Sequence, residues 1–168
     1  MPDSPAVTGF FHAGVTVSDM EASLRFYVDV LGLERVPSPD FAERVEWLRA
    51  GDLQIHLFLA DGPAPERHHL GLDVDDFEAA YVMVRDAGLQ DDATFAPTAR
   101  ELNDGSVQLY LRDPAGNLVE LNWPDASTLD RSVVTDLRHV RDERPQSAEA
   151  QRARLYGEGL DRARTQYR

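Results

Sequence analysis

The stretch from His12 to Leu33, HAGVTVSDMEASLRFYVDVLGL, has a second version that begins at His69, HLGLDVDDFEAAYVMVRDAGL. Aligned on their histidines, the two share Gly14/Gly71, Val17/Val74, Asp19/Asp76, Glu21/Glu78, Ala22/Ala79 and Asp29/Asp86. One residue of slippage then matches Gly32/Gly88 and Leu33/Leu89. A pattern written twice restricts the chain to a pair of similar modules, each running strand, helix, strands.

The segments FFHAGVTV, VEWLRAG, LQIHLFLA, HHLGLDV, SVQLYLRD and NLVELNW place aliphatic residues at every second position and read as strands. DMEASLRFYVDVLG and DDFEAAYVMVRDAG read as helices. Asp19 and Asp75 or Asp76 serve as N-caps, Leu24, Tyr27, Val28 and Leu31 form an apolar face, and Gly32 and Gly88 stand at the C′ positions. The linkers PSPDFAER, ADGPAPER and DDATFAPTARELNDG cluster Pro, Gly and Asp. The expected organisation is an N-terminal arm at 1–8, a first module at 9–62, a second at 63–124 and a C-terminal extension at 125–168. In the extension, Leu129, Val133, Leu137 and Val140, then Ala153, Tyr156, Leu160 and Ala163, predict two surface helices separated by Pro145.

Side chains alternate between the faces of a strand, so parity reads as geometry. His12, Gly14 and Thr16 oppose Ala13, Val15 and Val17; Gln54, His56 and Phe58 oppose Leu53, Ile55, Leu57 and Leu59. In the second module His69, Gly71 and Asp73 oppose Leu70, Leu72 and Val74, while Leu118, Glu120 and Asn122 oppose Val119, Leu121 and Trp123. A solvated polar face is ordinary for a single antiparallel strand. Four strands that each carry one metal-competent side chain opposite the aliphatic set argue instead for convergence on a shared site. His12, His56, His69 and Glu120 are the candidate metal ligands, and Glu120 is also the candidate catalytic carboxylate. Gln54, Asn122, Thr16 and Asp73 share their parity and are candidates to orient the imidazoles. Trp47, Tyr110 and Arg112 are candidates for binding substrate from neighbouring strands.

Composition narrows the chemistry. The chain has no Cys, so a metal would be held by nitrogen and oxygen alone. Three imidazoles and one carboxylate suit Zn, Fe, Mn, Ni or Co, and such an ion would act as a Lewis acid on the oxygens of a bound small molecule. The 30 acidic and 17 basic residues give a formal charge of -13, which disfavours nucleic acid and anionic membranes. No run approaches the roughly 20 apolar residues of a membrane span, and no signal peptide is visible, so the cytoplasm is the default expectation. All basic residues are Arg, which excludes a Schiff-base lysine. P-loop, H-E-x-x-H, G-x-S-x-G and Rossmann patterns are absent.

From about Gly9 to Trp123 these features resemble the vicinal oxygen chelate superfamily, which groups glyoxalases, bleomycin-type and fosfomycin-resistance proteins, epimerases and extradiol dioxygenases. DMEASLRFYVDVLGL is similar to the family's first helix and following turn, and LRDPAGNLVELNW to its closing D-P-x-G-N-x-x-E-L segment. The resemblance implies an α+β fold in which paired βαβββ modules curl an open mixed sheet around a cavity, followed here by a helical C-terminal tail. It also implies a homodimer and a divalent metal held by His12, His69 and Glu120, with His56 at a fourth position. Lyase and epimerase members carry Glu or Gln there, and extradiol dioxygenases carry no ligand. The functions so implied are a lyase or isomerase acting on a small molecule that chelates through vicinal oxygens, a resistance protein that sequesters an aromatic antibiotic, or an Fe(II) ring-cleaving dioxygenase.

Overall fold

The computed structural model describes residues 9–156, and these divide into two compact units between Ala64 and Pro65. The expected arm at 1–8 and the end of the extension, with Leu160 and Ala163, lie outside the described residues.

The first unit runs β1 (His12–Val17), α1 (Met20–Leu24), a π-helical stretch (Arg25–Val30), β2 (Glu34–Val36), β3 (Val45–Ala50) and β4 (Leu53–Leu59), with strand order β1-β4-β3-β2. The second repeats it as β5 (His69–Asp73), α2 (Phe77–Asp86), β6 (Arg100–Glu101), β7 (Val107–Arg112) and β8 (Leu118–Trp123). It then adds β9 (Arg138–His139), in the order β5-β8-β7-β6-β9. β1 pairs parallel to β4 and β5 to β8, β6 and β9 are also parallel, and the remaining pairs are antiparallel. The fold is α+β, with two open mixed sheets and few helices.

The aliphatic parity set forms the core. Val17, Leu48 and Leu57 are fully buried in the first unit, as are Val107, Leu111 and Val119 in the second. Helix α2 lies against β8 and buries Phe77, Tyr81 and Val84. Both helices start where the sequence indicates: the Ala22 amide donates to Asp19 Oδ1 and the Ala79 amide to Asp76 Oδ1, each at 2.9 Å. Asp76→Ala is expected to cost about 1 kcal/mol, read as a lower urea midpoint at unchanged slope. Both helices end on glycines at positive φ, Gly32 at 75° and Gly88 at 63°.

Three expectations differ. The first helix is not uniform, because the Leu31 amide donates to the carbonyl of Phe26, five residues back. This wider turn rotates Phe26 and Tyr27 fully into the core, whereas Val28 and Leu31, which a 3.6-residue period would bury, are only half-buried. The strands β2, β6 and β9 are two or three residues long, too short for an alternating pattern to register.

The third difference is the extension. Between 125 and 156 its helical content is the four-residue α3 (Val140–Glu143) and the 3-10 turns Ala126–Thr128 and Ala150–Arg152, not two long helices. Leu129, Val134 and Leu137 are nevertheless buried, through turns that follow the surface of the unit. The Asp130 amide donates to Glu78 Oε1 of α2 (2.6 Å) and Arg85 of α2 pairs with Asp136 (2.5 Å). Beyond them β9 pairs parallel to β6, and the chain then returns over the other face of the sheet. There Asn103 Nδ2 donates to Gln146 Oε1 and to the Ala150 carbonyl, both at 3.0 Å, and the Leu155 amide donates to Asp104 Oδ2 (2.7 Å).

Candidate metal and substrate site

Register places the candidate ligands at matching points of the two sheets. Gly14 stands opposite His56 across the β1–β4 ladder and Gly71 opposite Glu120 across β5–β8, with His12 and His69 two residues earlier. The D-P-A-G-N turn fixes the second of these registers. Asp113 Oδ1 accepts the amides of Ala115 (2.9 Å) and Asn117 (2.7 Å), so β8 re-enters the sheet with Glu120 opposite Tyr110.

In the second unit His69 and Glu120 come together, with Nε2 and Oε2 3.4 Å apart. His69 Nδ1 lies 2.9 Å from the Arg67 carbonyl, which can only accept, so Nδ1 carries a proton and, in the neutral ring, Nε2 is the nitrogen that presents its lone pair. Glu120 is buried, its side chain 5 % exposed. A lone pair facing a buried carboxylate is an arrangement that a cation can bridge. A charge-assisted N–H···O bond would be about 2.7–2.9 Å, shorter than this gap. Two ligands about 2.0–2.2 Å from one shared ion can stand 3.4 Å apart, so the pair fits a divalent metal.

The surroundings hold this pair in place. Tyr110 packs edge-on against His69, with ring centroids 5.7 Å apart, and stacks on Phe95 at 4.2 Å. Burial first, then the nearby Glu120 carboxylate, pushes the Tyr110 phenol well above its ordinary range, and its hydroxyl donates to Gln108 Oε1 at 3.3 Å. Tyr156 donates to Asp73 Oδ1, and burial followed by Asp73 raises its phenol in the same way. Asn122 is buried beside Glu120 and its Oδ1 has no partner. Gly71 leaves the room both side chains need, since a Cβ there would stand 3.2 Å from Asn122 Nδ2 and 3.5 Å from Glu120 Oε1. Gly71→Ala is expected to displace Asn122 by a few tenths of an ångström, read as a shift of the Asn122 side-chain amide resonances.

In the first unit His12 and His56 stack at 4.2 Å, and Trp47 covers the other face of His56 at 4.4 Å. His56 Nε2 donates to Gln54 Oε1 at 2.9 Å. Burial first, and then the neighbouring His12, push the His56 imidazole down, so it stays neutral near pH 7. Its hydrogen bond to Gln54 occupies the ring nitrogen that a fourth ligand would most readily offer. Among the described residues, neither unit gathers a third His, Asp or Glu around its pair.

Of the proposed substrate contacts, Trp47 stacks on His56 and Tyr110 borders the His69–Glu120 pair. Arg112 is different. Its guanidinium donates to Asp91 Oδ1 (2.9 Å), Thr94 Oγ1 (2.6 Å) and the carbonyls of Gly116 (2.9 Å) and Glu66 (3.2 Å). Those donors brace the loop after α2. Two residues at the site escaped sequence reading. Phe95 sits in a Pro- and Asp-rich stretch with no periodicity, and Tyr156 lies in the extension, 83 positions from its partner Asp73.

Comparison with known proteins supplies the family. Residues 9–121 match the family described as Glyoxalase/Bleomycin resistance protein/Dioxygenase superfamily. The biphenyl-2,3-diol 1,2-dioxygenase of Metapseudomonas furukawaii is 34% identical over 151 residues, which cover 80% of this chain and 48% of that protein. The chain thus spans about half the length of that relative. The mitochondrial methylmalonyl-CoA epimerase of Mus musculus is 29% identical over 128 residues, covering 66% of this chain and 70% of that one. Among solved structures, a mutant fosfomycin resistance protein from Listeria monocytogenes, complexed with Mn(II) and a dihydroxypropylphosphonic acid, superposes with a TM-score of 0.60. It is 13% identical and covers 73% of this chain and 96% of its own. No helix among the described residues is long and apolar enough to cross a membrane. By the family match, which takes in well over half of its length, the chain belongs to the Glyoxalase/Bleomycin resistance protein/Dioxygenase superfamily.

Proposed function

We propose that the protein is a metal-dependent enzyme acting on a small molecule that offers two neighbouring oxygens to the ion. His69 and Glu120 are its central ligands, and His12, at the register position equivalent to His69, is the third. The observation that carries this reading is the His69 Nε2 lone pair aimed at a buried carboxylate oxygen 3.4 Å away. A bound divalent ion would supply Lewis-acid polarisation of the substrate oxygens. The chain's own part is to fix the His69 tautomer through the Arg67 carbonyl, keep Glu120 buried beside its cross-strand neighbour Tyr110, and offer Asn122 Oδ1 to a substrate O–H.

A second reading concerns the reaction. Two histidines and one carboxylate with open positions form the ligand set associated with Fe(II) oxygenases. The His56–Gln54 hydrogen bond, which engages His56 Nε2, supports that three-ligand form, as does the 34% identity to a diol dioxygenase. A lyase or isomerase that moves a proton next to a carbonyl would instead need a base beyond these three residues. The working form is proposed to be a homodimer, to be read by light scattering.

The test is metal analysis of the purified chain after separate reconstitution with Fe(II), Mn(II) and Zn(II). About one ion per chain is expected, with His12→Ala lowering retention and His56→Ala leaving it within a few-fold. Protein that keeps no metal from any of the three defeats the proposal. Tight capture of an aromatic antibiotic, unaffected by His12→Ala, would point to sequestration. Oxygen consumption with catechols on the Fe(II) form would separate the dioxygenase from the lyase.

A further inference from the structure

Cross-strand register lines up rows of side chains on the face that carries Glu120. One row is Arg100, Gln108, Asn122 and Asp73; the next is Tyr110, Glu120 and Gly71. The returning extension crosses the first of these rows. Its last described residues are pinned at two places on the sheet, the Leu155 amide on Asp104, in the turn between β6 and β7, and the Tyr156 hydroxyl on Asp73 of β5. Beneath it lies a cavity of about 430 Å³ bounded by the sheet and by residues 140–155. That size is within the roughly 300–1,000 Å³ of small-molecule sites.

The cavity's walls specify what it can take. On the sheet side are the stacked rings of Phe95 and Tyr110, and the extension adds Val140, Ala150 and Leu155. Of the lining charges, Arg100 is paired with Glu143 at 3.0 Å and Asp104 is held by Ser106 and the Leu155 amide, while Arg144 stands exposed at the rim. An anionic arm would find no unpaired cation at Arg100, whereas an uncharged ring would lie against aromatic and aliphatic surface. Tyr110 borders both the cavity and the His69–Glu120 pair.

We infer that the C-terminal extension is a wall of the substrate site, enclosing against β6 and β7 a pocket for an uncharged aromatic substituent, with Tyr156 latching that wall to the sheet. This rests on the reading of His69 and Glu120 as the place where the substrate's oxygens are held, and it assigns the remote end of the same molecule. Tyr156 is a positioning residue. Its latch sets where Val140, Ala150 and Leu155 stand over the aromatic floor.

The probe is 2-phenylphenol, an uncharged two-ring molecule without vicinal oxygens, titrated into the metal-free full chain and followed by amide chemical shifts. Saturable shifts are expected at Leu102, Ala150 and Leu155. Val140→Trp and Ala150→Trp, which fill the cavity from two separate turns, should each weaken binding at least 10-fold. Tyr156→Phe should weaken it several-fold while shifting the amides of 150–155 even without the probe. Unchanged affinity in both Trp variants, or probe shifts that avoid these residues, would overturn the inference. Because the probe needs no metal, a chain that fails to bind any ion still decides the matter. The two proposals therefore fail separately.

Discussion

Glu120→Ala is expected to lower affinity for divalent metal by about 100-fold or more, the largest single effect of any substitution at the site. Losing a partner of a ligand typically costs 10- to 100-fold, and removing the ligand itself must cost at least as much. The carboxylate is 5 % exposed, faces His69 Nε2 at 3.4 Å and is the only anionic member of the proposed set. Glu120→Gln keeps an oxygen of the same shape and loses the charge, so its affinity should fall between that of the wild type and Glu120→Ala. Equilibrium dialysis against a chromophoric chelator measures all three. Folding should survive both changes, since removing a buried charge relieves desolvation. Wild-type metal affinity in Glu120→Ala would mean that the pair has a purely structural role.

Asp91→Ala is expected to be the most destabilising change outside the apolar core, by about 3 kcal/mol, the low end for a broken buried ion pair because Arg112 is a quarter exposed. Asp91 is 1 % exposed. It accepts the amides of Thr94 (3.0 Å) and Phe95 (2.7 Å) as well as the Arg112 Nε–H, so its loss would leave three donors unpaired and release the loop that carries Phe95. Burial alone would raise the Asp91 carboxyl, but the Phe95 amide, Arg112 and the Thr94 amide outweigh it and hold the group below the usual carboxylate range. A depressed native value means that the stabilisation is complete above about pH 4, where the unfolded carboxyl ionises, and disappears as pH falls through the native value. Urea unfolding from pH 7 to pH 2 should therefore show Asp91→Asn well below wild type at neutral pH, with the gap closing in acid. A gap that holds constant across that range would remove Asp91's charge from the explanation.

Much of this architecture could be read from the residues, for reasons particular to β-structure. Side-chain alternation has a period of two, so the faces of β1, β4, β5 and β8 followed from parity, and with them the equivalence of His56 and Glu120. Asp19 and Asp76 were legible because a cap acts within three residues of itself. Gln54 beside His56 followed from the same alternation. What stayed hidden depends on distant parts of the chain. The π-helical stretch answers to how Phe26 and Tyr27 fit the core. The engagement of Arg112 with Asp91 required a loop whose path the sequence does not mark. The extension's apolar residues have helical spacing, yet sheet edge and α2 offered them better burial in turns. Tyr156 was counted on a helical stripe, whereas its hydroxyl reaches across the face of the sheet.

The pairing of β9 with β6 reaches beyond topology. Without it, β6 would end the sheet with unpaired amides and carbonyls, an invitation for another chain to dock there. Two residues close that border and at the same point send the polypeptide from the helix-covered side to the open one. Protection against self-association and the roofing of the cavity thus depend on a single short ladder, so a lesion at Arg138 or His139 would be felt as both stickiness in solution and slackness around whatever the hollow holds.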